Sequence, residues 1–131
     1  MLHHLSLGAV EIERAARFYD AALAPLGYVR VWTDLTPGEE DQAVGYGPPG
    51  SDDKLAIKQV LLPVPNIPGF HVALSAPSRA SVVAFHVAAL AAGGTDNGQP
   101  GLRPDYGANY FAAFVIDPEG HHLEAVCKSA E

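Results

Sequence analysis

Two imidazoles and one carboxylate in this chain sit where ordinary packing does not explain them. Glu124 interrupts the apolar run His-His-Leu-Glu-Ala-Val over residues 121–126. Strand alternation puts His122, Glu124 and Val126 on one face and Leu123, Ala125 and Cys127 on the other. A half-buried ionised carboxylate without a partner costs several kcal/mol, so Glu124 calls for a cation, a proton or a metal. His4 and His71 each head a short segment whose opposite face is Leu or Val. Two histidines and a carboxylate from three strands can form a facial ligand set with open positions, which suits one divalent ion such as Fe(II), Mn(II), Zn(II) or Ni(II). The residues are too far apart in sequence to form a local motif, and a lone histidine at a strand start is more often simply hydrogen-bonded. What joins them must come from the architecture.

An internal repeat supplies it. A shift of 67 places His4 on His71, Leu7 on Leu74, Ala9 on Ala76, Phe18 on Phe85 and Gly27 on Gly94, with no gap. The run Ala-Ala-Leu-Ala at residues 21–24 recurs at 88–91. A two-fold repeat of this length implies two copies of one supersecondary unit.

In the first copy, residues 4–8 alternate polar or small residues with leucine, so His4, Ser6 and Gly8 share an open strand face. Apolar residues from Ile12 to Leu26 recur at helical spacing, and Pro25 and Gly27 end the helix. Strands are expected over 28–32, 43–46 and 54–62. Three prolines within residues 62–69 cannot continue a ladder and form the link. The second copy repeats the order: a strand over 70–75, a helix from an N-cap at Ser78 to the Gly93-Gly94 stop, and strands over 110–116 and 121–126. Asp117-Pro118-Glu119-Gly120 has type I turn chemistry and closes the last hairpin. Residues 95–109, rich in Gly, Pro and Asn, read as a loop of fifteen residues. The expectation is a single α+β domain over 1–131, with module one over about 1–62, a linker over 63–69 and module two over 70–131.

The composition narrows the function classes. A net charge of -7 without any basic cluster argues against nucleic acid and anionic membranes as partners. The most apolar helical run is far short of a membrane span. One cysteine forms no internal disulfide, and no leader pattern opens the sequence, so a cytoplasmic protein is expected.

Four stretches together resemble the vicinal-oxygen-chelate superfamily of glyoxalases, fosfomycin thiol transferases, extradiol dioxygenases and bleomycin-binding proteins. They are His4-Leu5-Ser6-Leu7, Arg17-Phe18-Tyr19-Asp20 with Leu26-Gly27-Tyr28, His71-Val72-Ala73-Leu74-Ser75, and Asp117-Pro118-Glu119-Gly120 with Leu123-Glu124. The resemblance spans essentially the whole chain. It implies two βαβββ modules in tandem, curled into an open mixed sheet around a cleft. It further implies His4, His71 and Glu124 as ligands of one divalent metal, with Glu124 also catalytic. The family's fourth ligand position falls near Lys58 if the repeat slips by one residue, and no carboxylate stands there.

The implied activity is metal-dependent lyase, isomerase, thiol transferase or dioxygenase chemistry on a small substrate that chelates through two oxygens. A homodimer that completes the site is implied as well, since some relatives exchange units between subunits. The alternative is a metal-free binding protein of the bleomycin-resistance type. Around the ligands, Arg103, Tyr106 and Tyr110 suit an anionic or aromatic substrate, with tethering of Arg103 to Asp105 as the plainer role. Lys58 either touches substrate or pairs with a surface acid, and His122 lines the cleft mouth. His86 reads as a partly exposed packing residue, His3 as structural and Cys127 as a small buried hydrophobe.

Overall fold

The computed structural model describes residues 1–131. Module one runs β1 (Leu5–Ala9), α1 (Ile12–Leu23), a 3₁₀ turn (Ala24–Leu26), β2 (Val29–Asp34), β3 (Ala43–Gly47) and β4 (Leu55–Gln59). Module two runs β5 (Val72–Ser75), α2 (Arg79–Ala91), β6 (Thr95–Leu102), a 3₁₀ turn (Pro104–Tyr106), β7 (Phe111–Ile116) and β8 (His122–Cys127). Each module is βαβββ and forms its own four-stranded mixed sheet, in the order β1-β4-β3-β2 and β5-β8-β7-β6. The first and last strands of each module pair in parallel and the remaining neighbours antiparallel. Neither sheet closes, and β1 and β5 are both edge strands.

Period-two alternation divides each sheet's residues between core and cleft. Leu7, Leu55, Ile57, Val72, Leu123 and Ala125 enter a single core of 24 buried residues that draws on both modules. Phe18 and Phe85, related by the repeat, are both fully buried in it. Gly94 admits this packing, since a Cβ there would lie 2.9 Å from the Phe18 ring. The alternate residues, including Ser6, Ala56, Ala73 and Glu124, lie outside that core on the opposite sheet faces.

Local signals end the elements as their chemistry requires. Gly27, with φ 88°, closes the 3₁₀ turn after α1, while the Ser78 hydroxyl accepts the Ser81 amide at 3.0 Å and starts α2. The 117–120 turn forms, with the Gly120 amide donating to the Asp117 carbonyl at 3.0 Å. It also does something its turn chemistry alone does not announce. The Glu119 carboxylate accepts the Val10 and Glu11 amides at 2.8 and 3.1 Å and pairs with Arg14 at 2.9 Å. A side chain of module two thus caps the first helix of module one, whose own N-cap residue makes no side-chain cap bond. His121 Nε2 donates to the Gly8 carbonyl at 2.7 Å, and the buried Tyr19 hydroxyl donates to Asp117, so one turn fastens the two modules.

Several expectations change. Residues 95–109 are not a structureless loop: 95–102 form β6, held to β7 through two register shifts around Gly98. Bulges let a Gly- and Pro-bearing sequence pair at a sheet edge, where one missing amide is tolerated. β4 stops at Gln59 rather than 62, and β1 and β5 begin after His4 and His71, which therefore precede their strands. No helix is long and apolar enough to cross a membrane.

Candidate active site

The chemistry gathers on the open face of the second sheet. Glu124, in the middle of β8, is only 2 % exposed. His71, just before β5, brings Nε2 to 3.1 Å from Glu124 Oε1, and the Tyr110 hydroxyl donates to Oε2 through a short hydrogen bond. Both carboxylate oxygens are therefore engaged, by an imidazole and a phenol, and no lysine or arginine pairs with them. Burial, followed by the hydrogen bond to Glu124 and its charge, pushes the Tyr110 phenol up to about 12, so it holds its proton throughout the neutral range. The paired-carboxylate requirement inferred from alternation is met here without a fixed positive charge.

The pair also has the spacing of two metal ligands. Donors about 2.1 Å from one ion and at right angles to each other stand about 3.0 Å apart. His71 Nε2 and Glu124 Oε1 match that edge, and Tyr110 is placed as the outer partner that orients a ligating carboxylate. Within one chain the set goes no further, because no three His, Cys, Asp or Glu side chains converge as a metal site. His4 lies exposed near the N-terminus, its ring nitrogen 2.8 Å from that of His3. His3 is exposed as well, so it is a neighbour of His4 rather than a residue turned into the structure.

The ladders fix the repeat register and revise the fourth position. Ala73 pairs with Glu124, and its repeat mate Ser6 pairs with Ala56. The residue matching Glu124 is thus Ala56, while Lys58 pairs with Gly8, the mate of Ser75, and so matches Val126. The repeat does slip by one residue at this strand, but toward Ala56 rather than Lys58, and the small Ala56 stands where a fourth ligand would.

The remaining residues divide. His122 lines a cleft of about 250 Å³ between β1 and the linker, together with Ser6, Gly8, Val64, Ile67 and Phe70. Neither His71 nor Glu124 lines it. Tyr106 is 66 % exposed and stands edge-on to Tyr110, with ring centroids 5.3 Å apart. Arg103 is not tethered to Asp105: its guanidinium donates to the Gln99 and Gly101 carbonyls and covers the Phe114 ring at 5.4 Å. Lys58 is exposed and makes neither a hydrogen bond nor an ion pair with any side chain. His86 is buried rather than partly exposed, with Nε2 2.8 Å from Asp96. That bond, ahead of the Gly98 amide, holds Asp96 below the usual carboxylate value of 3.8. Cys127 is buried as a small hydrophobe.

Phe114 is a site residue that the linear sequence did not single out. It pairs with Glu124 across the β7–β8 ladder, and its ring centroid is 6.3 Å from that of His71. An aromatic residue in an apolar strand looks like core until the pairing is known, and only the ladder reveals that it faces the carboxylate.

The comparisons with known proteins agree with this architecture. A glyoxalase/bleomycin resistance protein from Albidiferax ferrireducens superposes with a TM-score of 0.77 at 27% identity, covering 96% of this chain and 97% of that one. A glyoxalase-related enzyme from Fulvimarina pelagi gives 0.69 at 23% identity, over 96% and 86%. A glyoxalase I variant from Zea mays gives 0.67 at 21% identity, covering 94% of this chain and 45% of the maize protein. None of the curated proteins matches the chain. The sequence profile that matches spans residues 1–125, and by that match the chain belongs to the Glyoxalase/Bleomycin resistance protein/Dioxygenase superfamily.

Proposed function

We propose that the chain is a divalent-metal-dependent enzyme of the glyoxalase type, acting on a small substrate that presents two neighbouring oxygens. The observation that carries this reading is the buried Glu124 carboxylate, set at ligand spacing from His71 and oriented by Tyr110. His71 and Glu124 would supply two ligands, and His4 of a second copy the third. A bound ion would act as a Lewis acid toward oxygen, worth several kcal/mol at a developing negative charge. The chain's own residues do the rest. Tyr110 fixes one carboxylate oxygen, and Phe114 and Arg103 wall the pair on the β7 side. Glu124 is the carboxylate nearest any substrate atom delivered beside His71, and is the group that would take up a proton there.

A homodimer follows from the same reading. β1 and β5 are unpaired edges whose open-face residues Ser6, Ala73 and Ser75 are exposed. Pairing the β1 edge of one copy with the β5 edge of another would bring His4 toward a His71–Glu124 pair that its own chain keeps from it. Binding of Mn(II), Fe(II), Ni(II) and Zn(II), followed by calorimetry on wild type, His71→Ala and Glu124→Gln, tests the metal site. The expected result is one tight ion per chain in wild type and at least 100-fold weaker binding in both variants. Equal binding by all three proteins would refute it.

A second reading has a specific observation behind it. Glu124 is already satisfied by His71 and Tyr110, and Ala56 replaces a fourth ligand. Both features suit a protein of the bleomycin-resistance type that sequesters a small molecule without metal. In that case, metal affinity would be absent from the wild type itself.

A further inference from the structure

The open face of the first sheet is built differently from that of the second. Two adjacent cross-strand rows define it: Ser6–Ala56–Gly45–Trp32 and Gly8–Lys58–Ala43–Asp34. Five of these eight residues, Ser6, Gly8, Ala43, Gly45 and Ala56, are no larger than serine. Ala43, Gly45 and Ala56 are buried, and Val60 and Val64 pack over Gly8, so the groups left exposed to a ligand beyond Ser6 are Trp32, Lys58 and Asp34. Trp32 stands at one end of the first row and Lys58 lies in the second.

The tryptophan is fitted to Gly45. A Cβ on Gly45 would lie 2.2 Å from the indole Nε1 and 2.4 Å from Cε2, so the ring rests directly on the glycine backbone. Any side chain at that position would lift it. Even so, Trp32 remains 38% exposed. Module two has the same device reversed, with Phe114 on the third strand above Gly98, where a Cβ would lie 2.9 Å from the ring. There the Arg103 guanidinium already covers the aromatic surface. No cation covers Trp32. One module therefore holds a capped aromatic platform and the other an uncapped one.

Lys58 adds a charge to the uncapped platform. It is exposed and unpaired, it is the one cation in these two rows, and its row neighbours are Gly8 and Ala43. The nearest acid in its row is Asp34, two strands away. Strand spacing and rise put the Lys58 and Trp32 Cα atoms about 12 Å apart. One aromatic ring bearing a carboxylate, together with the lysine stem, spans that distance.

We infer that the open face of module one is a subsite for a planar aryl carboxylate, with the ring on Trp32 and the carboxylate at Lys58. This assignment rests on the proposed function, in which the β1 edge of this face pairs with the β5 edge of a second copy beside its His71–Glu124 pair, and names the class of substrate taken there. Stacking on an exposed indole favours planarity, and an unpaired ammonium beside small residues favours an anion.

Trp32 is the only tryptophan in the chain, so its fluorescence reports the subsite directly. Benzoate, cyclohexanecarboxylate and benzamide would be titrated in turn, with calorimetry alongside. They match in size but differ in planarity and charge. The expected result is a saturable change in Trp32 emission with benzoate, at an affinity at least tenfold above either analogue. Lys58→Met should remove the preference over benzamide. Trp32→Leu should remove the preference over cyclohexanecarboxylate, while Trp32→Phe, which keeps a ring, retains it. Equal affinity for the three compounds, or unchanged selectivity in Lys58→Met, would overturn the subsite. Because none of these readouts uses His71 or Glu124, the subsite can fail while the metal site stands, and the reverse.

Discussion

Glu124 has two neighbours with protons to give and none with a fixed positive charge. That makes Tyr110 more than a cleft-lining phenol, since it is the sole donor to one carboxylate oxygen. Replacing it with Phe should cost about 1–3 kcal/mol, the usual penalty for leaving a buried acceptor unsatisfied. The cost should depend on pH. The phenol titrates at 10 when unperturbed and at about 12 in the fold, so its contribution is complete below pH 10 and disappears as pH rises toward 12. Urea denaturation of wild type and Tyr110→Phe between pH 8 and 12 should show the two stabilities converging over that interval. If they stay parallel, the phenol–carboxylate bond is not what stabilises the site. Much of this was legible in the linear sequence: a lone acid in an apolar strand predicts a partner, and His71 and Tyr110 were both singled out. Which residue opposes which was not. Ala56 rather than Lys58 matches Glu124 because register belongs to the ladder, and a shift of one residue cannot be seen in the sequence of a strand four or five residues long.

The secondary-structure elements were readable wherever periodicity was strong, as in α1, α2 and β8. β6 was not, because its Gly and Pro residues carry turn chemistry and its pairing depends on bulges that only the partner strand makes possible. The turn at 117–120 was recognised as a turn, while its role as a cross-module cap was invisible, since Glu119 and Val10 are 109 residues apart. Glu119→Ala should destabilise the fold by about 1–2 kcal/mol, the range for losing a helix cap. Burial works against ionisation of the Glu119 carboxyl, but the Val10 and Glu11 amides and Arg14 outweigh it and hold the carboxyl below its usual 4.5. Its stabilisation is therefore present above pH 4.5 and is lost as pH falls below it, so acid unfolding should begin at higher pH in Glu119→Ala than in wild type. Identical acid transitions would show that the cap contributes nothing. Gly45→Ala makes a separate test on β3. A Cβ cannot coexist with the indole, so Trp32 emission should shift to the red and stability should fall by about 1–3 kcal/mol. An unchanged spectrum would mean that the indole does not rest on that glycine.

At the scale of the whole molecule, the two modules share one core and are fastened at one turn, yet their edges β1 and β5 remain open and His4 stands apart from His71 and Glu124. The repeat predicted the tandem modules and placed a histidine at the head of the first strand of each, where the fold sets both just before the strand. It could not predict that the chain leaves its proposed ligand set divided. If two copies complete the site, each site takes His4 from one chain and His71 with Glu124 from the other. His4→Ala and His71→Ala proteins, each defective alone, should then restore one intact site in every mixed dimer. Unfolding the two together and refolding them at equal concentration should recover tight Mn(II) or Ni(II) binding at about one quarter of the wild-type stoichiometry, since half the dimers are mixed and one of their two sites is whole. A mixture that binds no more metal than its parents, while wild type binds fully under the same refolding, would contradict a site shared between subunits.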